Sequence, residues 1–151
     1  MSKQEIELTA YCGLYCGDCI RYRSKVADLA RDLRRELLKV KFDKYAEAKS
    51  LLVKELTHYK ECCEVLEAII ELQCDNACRD GGCPTFSCKI RDCCQTRRYE
   101  GCWECDQFEK CKEFEFLEPF HSNAPLQNLR KIGQVGLEQW ARDREKFFVW
   151  L

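Results

Sequence analysis

Sulfur dominates the chemistry this chain can do. Cys12, Cys16 and Cys19 stand in the stretch YCGLYCGDC with the spacing C-x3-C-x2-C. A second run carries thiols at Cys74, Cys78, Cys83, Cys88, Cys93, Cys94, Cys102, Cys105 and Cys111. Thiols so closely spaced either pair as disulfides or ligate a soft cation. Fourteen cysteines in 151 residues reach the density at which sulfur, not packing alone, fixes part of a fold. The opening MSKQEIELTA lacks the apolar core of a secretory signal, and no apolar run is long enough to span a bilayer. The expectation is a cytoplasmic protein without membrane segments. In that reducing setting clustered thiols bind metal in preference to each other.

Zinc takes four ligands in a tetrahedron, and cysteine pairs two to four residues apart can wrap the ion from one loop. Cys102-Trp103-Glu104-Cys105 is the strongest such pair; Cys74/Cys78 and Cys83/Cys88 are looser. Adjacent side chains point in different directions, so only one of Cys93 and Cys94 is expected to ligate, and Cys94 is set aside. Cys62 and Cys63 fall inside a predicted helix, where Cys63 reads as a small buried hydrophobe. The expected metal ligands are therefore Cys12, Cys16, Cys19, Cys74, Cys78, Cys83, Cys88, Cys93, Cys102, Cys105 and Cys111. These would serve two or three zinc ions. The triplets Cys12/Cys16/Cys19 and Cys102/Cys105/Cys111 each borrow from the central five, with no sulfur assigned to a particular ion. Of the two histidines, His58 reads as mid-helix surface and His121 as a weak further ligand.

Other chemistries remain open beside zinc. An iron–sulfur cluster or a thiol-redox centre is the alternative, since Cys83-Pro84 and the many thiols also suit a cluster. C-x3-C-x2-C is also the cluster spacing of radical enzymes that use S-adenosylmethionine. Asp18 stands here where those enzymes carry an aromatic residue, and the repeated strand–helix units of their fold are missing. An open three-cysteine site would suit a thiol enzyme or a metal carrier. No serine, histidine and carboxylate set and no glycine-rich phosphate loop points to catalysis, so no catalytic residue is expected.

Two helices must position these sulfurs. Val26, Leu29, Leu33, Leu37 and Val40 recur at three- and four-residue steps, predicting one from about Cys19 to Lys41 with Asp18 as its cap. Leu52, Leu56, Tyr59, Cys63, Leu66 and Ile70 make the seam of a second, continuous from Asp43 to Leu72. Only a short turn separates them, so they fold back as an antiparallel hairpin over about residues 19–72. Their near-equal lengths return the chain to Cys12 just as it reaches the second cluster. A knuckle region over about 74–111, rich in glycine turns and poor in large apolar residues, would take its folding free energy from metal. Two short helices follow over about 123–149, broken around Gly133 and Gly136, with Ser122 or Asn123 as cap. Phe147, Phe148 and Trp150 should pack back. The fold class expected is mainly α, in one cysteine-rich domain over residues 1–151: a long antiparallel helical hairpin, a metal-stabilised irregular region and short C-terminal helices.

The ordered combination CGLYCGDC, a helical insert, a cysteine-rich stretch leading to CKIRDC and CWECDQF, and finally NLRKIGQVGLEQW resembles the domain-of-unknown-function 3795 family. The likeness runs from Cys12 to about Trp140, the hairpin excepted. It implies a small cysteine-rich protein of bacteria and archaea that binds zinc and has no established activity. Here Cys74-Asp75-Asn76-Ala77-Cys78 replaces the family's C-D-G-C, and Phe108-Glu109-Lys110-Cys111 its F-P-C.

Charge is sorted along the chain although the net is only −1. Arg21–Lys41 carries eight basic residues against three acidic, and Asp43–Glu71 four against seven. Lys89, Arg91, Arg97 and Arg98 interleave with Tyr99 and Trp103, a pattern that nucleic-acid-binding knuckles also show. A four-thiolate zinc site carries a net −2, however, and nearby cations offset it. Compensation is the preferred reading, which leaves an unidentified macromolecule as partner, a protein rather than nucleic acid.

Overall fold

The computed structural model describes residues 6–82 and 87–145. Cys83, Phe147, Phe148 and Trp150 lie outside them. The described residues are mainly α-helical with short 3₁₀ turns, and their one strand-like feature is an isolated antiparallel bridge between Thr9 and Tyr15. The chain divides into two compact units, residues 23–74 and residues 1–22 with 75–151.

The first unit is the hairpin. Helix α1 spans Lys25–Lys39, α2 Phe42–Lys49 and α3 Tyr59–Glu71. α1 packs against α3, and the pairings Arg31–Gln73 and Arg34–Glu67 run in opposite senses along the two helices, so they are antiparallel. The backbone N–H of Arg23 donates to the carbonyl of Cys74 at 2.9 Å and closes the base. Three details differ from the sequence reading. α1 starts later than Cys19 because Ser24, not Asp18, caps it: the Ser24 hydroxyl accepts from the Ala27 N–H at 3.4 Å, a role ordinarily worth about 1 kcal/mol.

The second helix is not continuous. α2 stops at Lys49, Leu52 is exposed, and Val53 takes extended backbone (φ −121°, ψ 94°) before a 3₁₀ turn over Lys54–His58. The Ser50 hydroxyl donates to the Glu47 carbonyl at 2.8 Å, and the Thr57 hydroxyl to that of Lys54 at 2.6 Å. Such local side-chain bonds compete with helix propagation. At the tip, the Phe42 ring lies 5.3 Å from the rings of both Tyr45 and Tyr59.

The third difference is the buried face. Ala27 and Ala30 are the buried residues of α1, while Leu29 and Leu33 remain 57% and 50% exposed. Small residues let two backbones approach closely, so the contact selects alanine and leaves the leucine stripe beside it.

The second unit joins residues 6–22 to 75–145. Here the Ala10 N–H donates to the Leu14 carbonyl at 2.7 Å, the Gly13 N–H to Ala10 at 2.9 Å and the Cys16 N–H to Leu8 at 2.8 Å, tying Cys12 into a tight loop. Helix α4 spans Lys89–Arg97 and ends where Arg98 turns left-handed at φ 60°. Three 3₁₀ turns, Cys102–Glu104, Phe108–Lys110 and Lys112–Leu117, lead to α5 (Glu118–His121), α6 (Ala124–Val135) and α7 (Leu137–Asp143). Asn123 occupies the N-cap position of α6, with Pro125 in its first turn. The helix runs through Gly133 and breaks at Gly136. Its core gathers Ala10, Cys12, Ile90, Cys94, Cys102, Phe114, Leu117 and Leu129. A satellite of Ile132, Trp140 and Ala141 has Tyr15 and Trp103 against it.

Candidate metal centre

Thiols occupy the core of the second unit where aliphatic side chains would ordinarily sit. Cys12, Cys94 and Cys102 are buried, with Cys78, Cys88 and Cys111 packed against them. Three recurring turns help place these residues. Cys16–Asp18, Cys102–Glu104 and Phe108–Lys110 are each one 3₁₀ turn, closed by an N–H of Cys19, Cys105 or Cys111 onto the carbonyl three residues earlier at 3.0–3.2 Å. The first two are the C-x2-C pairs, so that spacing folds as one knuckle twice. The Cys102 N–H donates to the Tyr11 carbonyl at 2.8 Å, which pins the second knuckle beside the Cys12 loop.

Around Cys12, sulfurs distant in sequence meet. The Cys78 N–H donates to the Cys16 Sγ at 3.3 Å across 62 residues. The Cys12 thiol is pushed well above its ordinary range, first by burial and then by the neighbouring charges of Cys78, Cys88 and Cys16. Cys88 is the N-cap residue of α4.

Around Cys102, the Cys94 Sγ lies 3.5 Å away. That is far beyond the ~2.05 Å of a disulfide, and close to the ~3.8 Å edge that ~2.3 Å zinc–sulfur bonds imply for a tetrahedron. A hydrogen bond from Cys102 holds Cys94 below its usual range, while the same bond, together with burial, pushes Cys102 up. Cys12 and Cys111 also raise Cys102 through their charge.

The remaining expected ligands lie differently. Cys19 and Cys93 are exposed, and Cys105 is half-buried. Cys74 belongs to the hairpin unit and accepts the Arg23 N–H. Cys62 is exposed and Cys63 half-buried. His121 is half-buried with its Nδ1 lacking a partner, and burial depresses its pKa. The residue that sequence reasoning set aside is Cys94. Its signal was present: Ile90, four residues earlier, is the aliphatic residue of KIRDCC, and i,i+4 positions share a helix face. Among the described residues, no three Cys, His, Asp or Glu side chains are arranged to hold one metal ion. The donor set fits a soft cation in residue type, in the Cys94–Cys102 spacing and in the amide bond to Cys16.

Four cations of this unit, Arg79, Arg91, Lys89 and Arg144, are engaged within it, whereas Arg97 and Arg98 are exposed. Arg79 donates from Nε to the Thr9 carbonyl at 2.6 Å and from Nη2 to that of Glu100 at 2.7 Å, with its guanidinium 4.5 Å from the Tyr11 ring centroid. Arg91 reaches the carbonyls of Cys78 and Gly82 at 3.2 and 3.3 Å. Lys89 lies 3.8 Å from Glu113. Arg144 stacks 3.8 Å from the Tyr15 ring centroid and pairs with Asp18.

A family model described as "Protein of unknown function (DUF3795)" matches residues 8–116, about seven-tenths of the chain. No curated protein and no solved structure matches. No helix among the described residues is long and apolar enough to cross a membrane.

Proposed function

The chain belongs to the DUF3795 family, and from that premise and the thiol-filled core we infer that it is a zinc-binding protein whose ions are mainly structural and whose surface meets a protein partner. The observation that carries this reading is the burial of Cys12, Cys94 and Cys102 together, with Cys78, Cys88 and Cys111 against them. A core built from thiols gains cohesion when a cation replaces their protons, and the binding free energy then becomes folding free energy. When bound, zinc would act as a cross-link between sequence-distant turns. The residues available to it are thiols of this unit, and the reducing cytoplasm suits them.

Arg79 and Arg91 support the charge-compensation role, since both are tied to backbone beside the sulfurs and are not presented to a phosphate backbone. The exposed Leu29 and Leu33 of the hairpin favour a protein partner over nucleic acid. Zinc and iron counted per chain in untagged protein test the metal. Loss of cooperative melting on chelation under reductant is the expected companion result, and a metal-free protein with unchanged melting would refute the proposal.

The Cys94–Cys102 pair favours a second reading, a thiol-redox centre, because one sulfur is held toward thiolate by the other. A brown anaerobic preparation would instead mark an iron–sulfur protein.

A further inference from the structure

Resting on the zinc reading, we propose that one ion is held by Cys12, Cys16, Cys78 and Cys88, with Cys19 and Cys74 outside its shell. The spacing C-x3-C-x2-C invites a site built on the whole triplet. The fold separates its members. Cys12 is buried and Cys16 half-buried, whereas Cys19 ends its 3₁₀ turn exposed.

Three segments deliver the four sulfurs. The first is the Cys12 loop, in which Gly13 takes φ 83° and the Cys16 N–H returns to the Leu8 carbonyl at 2.8 Å, so that Cys12 and Cys16 lie on one short loop. The second is the turn opening at Cys78, whose N–H already donates to the Cys16 Sγ at 3.3 Å. Amide donors of this kind stabilise metal-bound thiolates. The third is the N-terminus of α4, where Cys88 packs on the same core cluster as Cys12. Arg91, one turn into α4, holds the carbonyls of Cys78 and Gly82 and so fastens the second segment to the third.

The side chains are not yet at coordinating positions, so the site closes on the ion when it binds, with loss of the thiol protons to solvent.

Native mass spectrometry of the full chain loaded with zinc tests this. Cys16→Ser, Cys78→Ser and Cys88→Ser should each carry one zinc fewer than the unsubstituted chain, while Cys19→Ser and Cys74→Ser keep its full count. Should the serine variants fail to fold, alkylation of the unsubstituted chain serves. Cys12, Cys16, Cys78 and Cys88 should resist iodoacetamide with zinc bound and become reactive together on chelation, with Cys19 labelled at least tenfold faster than Cys16 while zinc is bound. Retention of the full count by Cys88→Ser, or protection of Cys19 in place of Cys16, overturns the assignment while leaving the zinc reading standing. A chain that binds no zinc at all overturns both.

Discussion

Gly13 offers the sharpest test of how the Cys12 loop is held. Its φ of 83° lies in the left-handed region, and a Cβ there would meet Leu129 Cδ2 and Cγ at 3.1 Å and the Pro125 carbonyl oxygen at 3.2 Å. Leu129 is fully buried and Pro125 belongs to the first turn of α6, so neither neighbour swings away easily. The left-handed backbone costs a non-glycine residue about 1–2 kcal/mol, and overpacking a core adds about 1–3 kcal/mol. Gly13→Ala should therefore destabilise the protein by roughly 2–5 kcal/mol.

Two controls separate the components. Gly81 has φ 81° but open space around its missing Cβ, so Gly81→Ala should lose only the backbone part, about 1–2 kcal/mol. Gly133 lies within α6 with nothing near its Cβ position, so Gly133→Ala should stabilise by about 0.5–1 kcal/mol. Urea denaturation of the three variants under matched metal and reductant measures all of this. A Gly13→Ala variant no less stable than Gly81→Ala would refute the close approach of the Cys12 loop to α6.

Three further outcomes are expected. On α1, Ala30→Leu should cost about 1–3 kcal/mol by overpacking the helix contact, whereas Leu29→Ser, at an exposed site, should stay within about 0.5 kcal/mol, both read by thermal melting of the hairpin's helical signal. In α4, Cys94→Ser buries a hydroxyl in the core and should cost about 1–3 kcal/mol, against little for the exposed Cys93→Ser, measured by urea denaturation under matched metal and reductant. His121 has its pKa depressed by burial, so the unfolded chain takes up the proton first. Stability from this group is complete above the unfolded value and falls as pH drops through the folded one; His121→Gln should flatten the decline in urea midpoints as pH falls below about 6.5.

The hairpin was legible because α1 and α3 keep helical periodicity without glycine or proline; Cys78 does meet Cys16, although the length argument for that meeting assumed a second helix unbroken from Asp43 to Leu72. The face it buries was not legible. Hydropathy points to Leu29 and Leu33, but close approach of two helices rewards Ala27 and Ala30, and no periodicity rule ranks fit above hydropathy. The break after Lys49 was hidden for a related reason: Leu52 and Val53 continue an apolar pattern while Ser50 and Thr57 withdraw backbone carbonyls by local bonds. In the sulfur-rich stretch, spacing marked the knuckles at Cys16–Cys19 and Cys102–Cys105. Which of Cys93 and Cys94 is buried depends on the register of α4 against its neighbours, which spacing alone does not carry.

The Arg23–Cys74 backbone bond has a topological consequence. The 52 residues of the hairpin unit leave the chain and return to it at neighbouring points, as a guest inserted into a host. The host must therefore bridge a long detour before its two halves can join. Exchanging the guest for a linker of about five residues would lower that closure cost by about 2 kcal/mol, from the logarithmic dependence on loop length. A trimmed host should assemble faster and hold its sulfurs no less firmly.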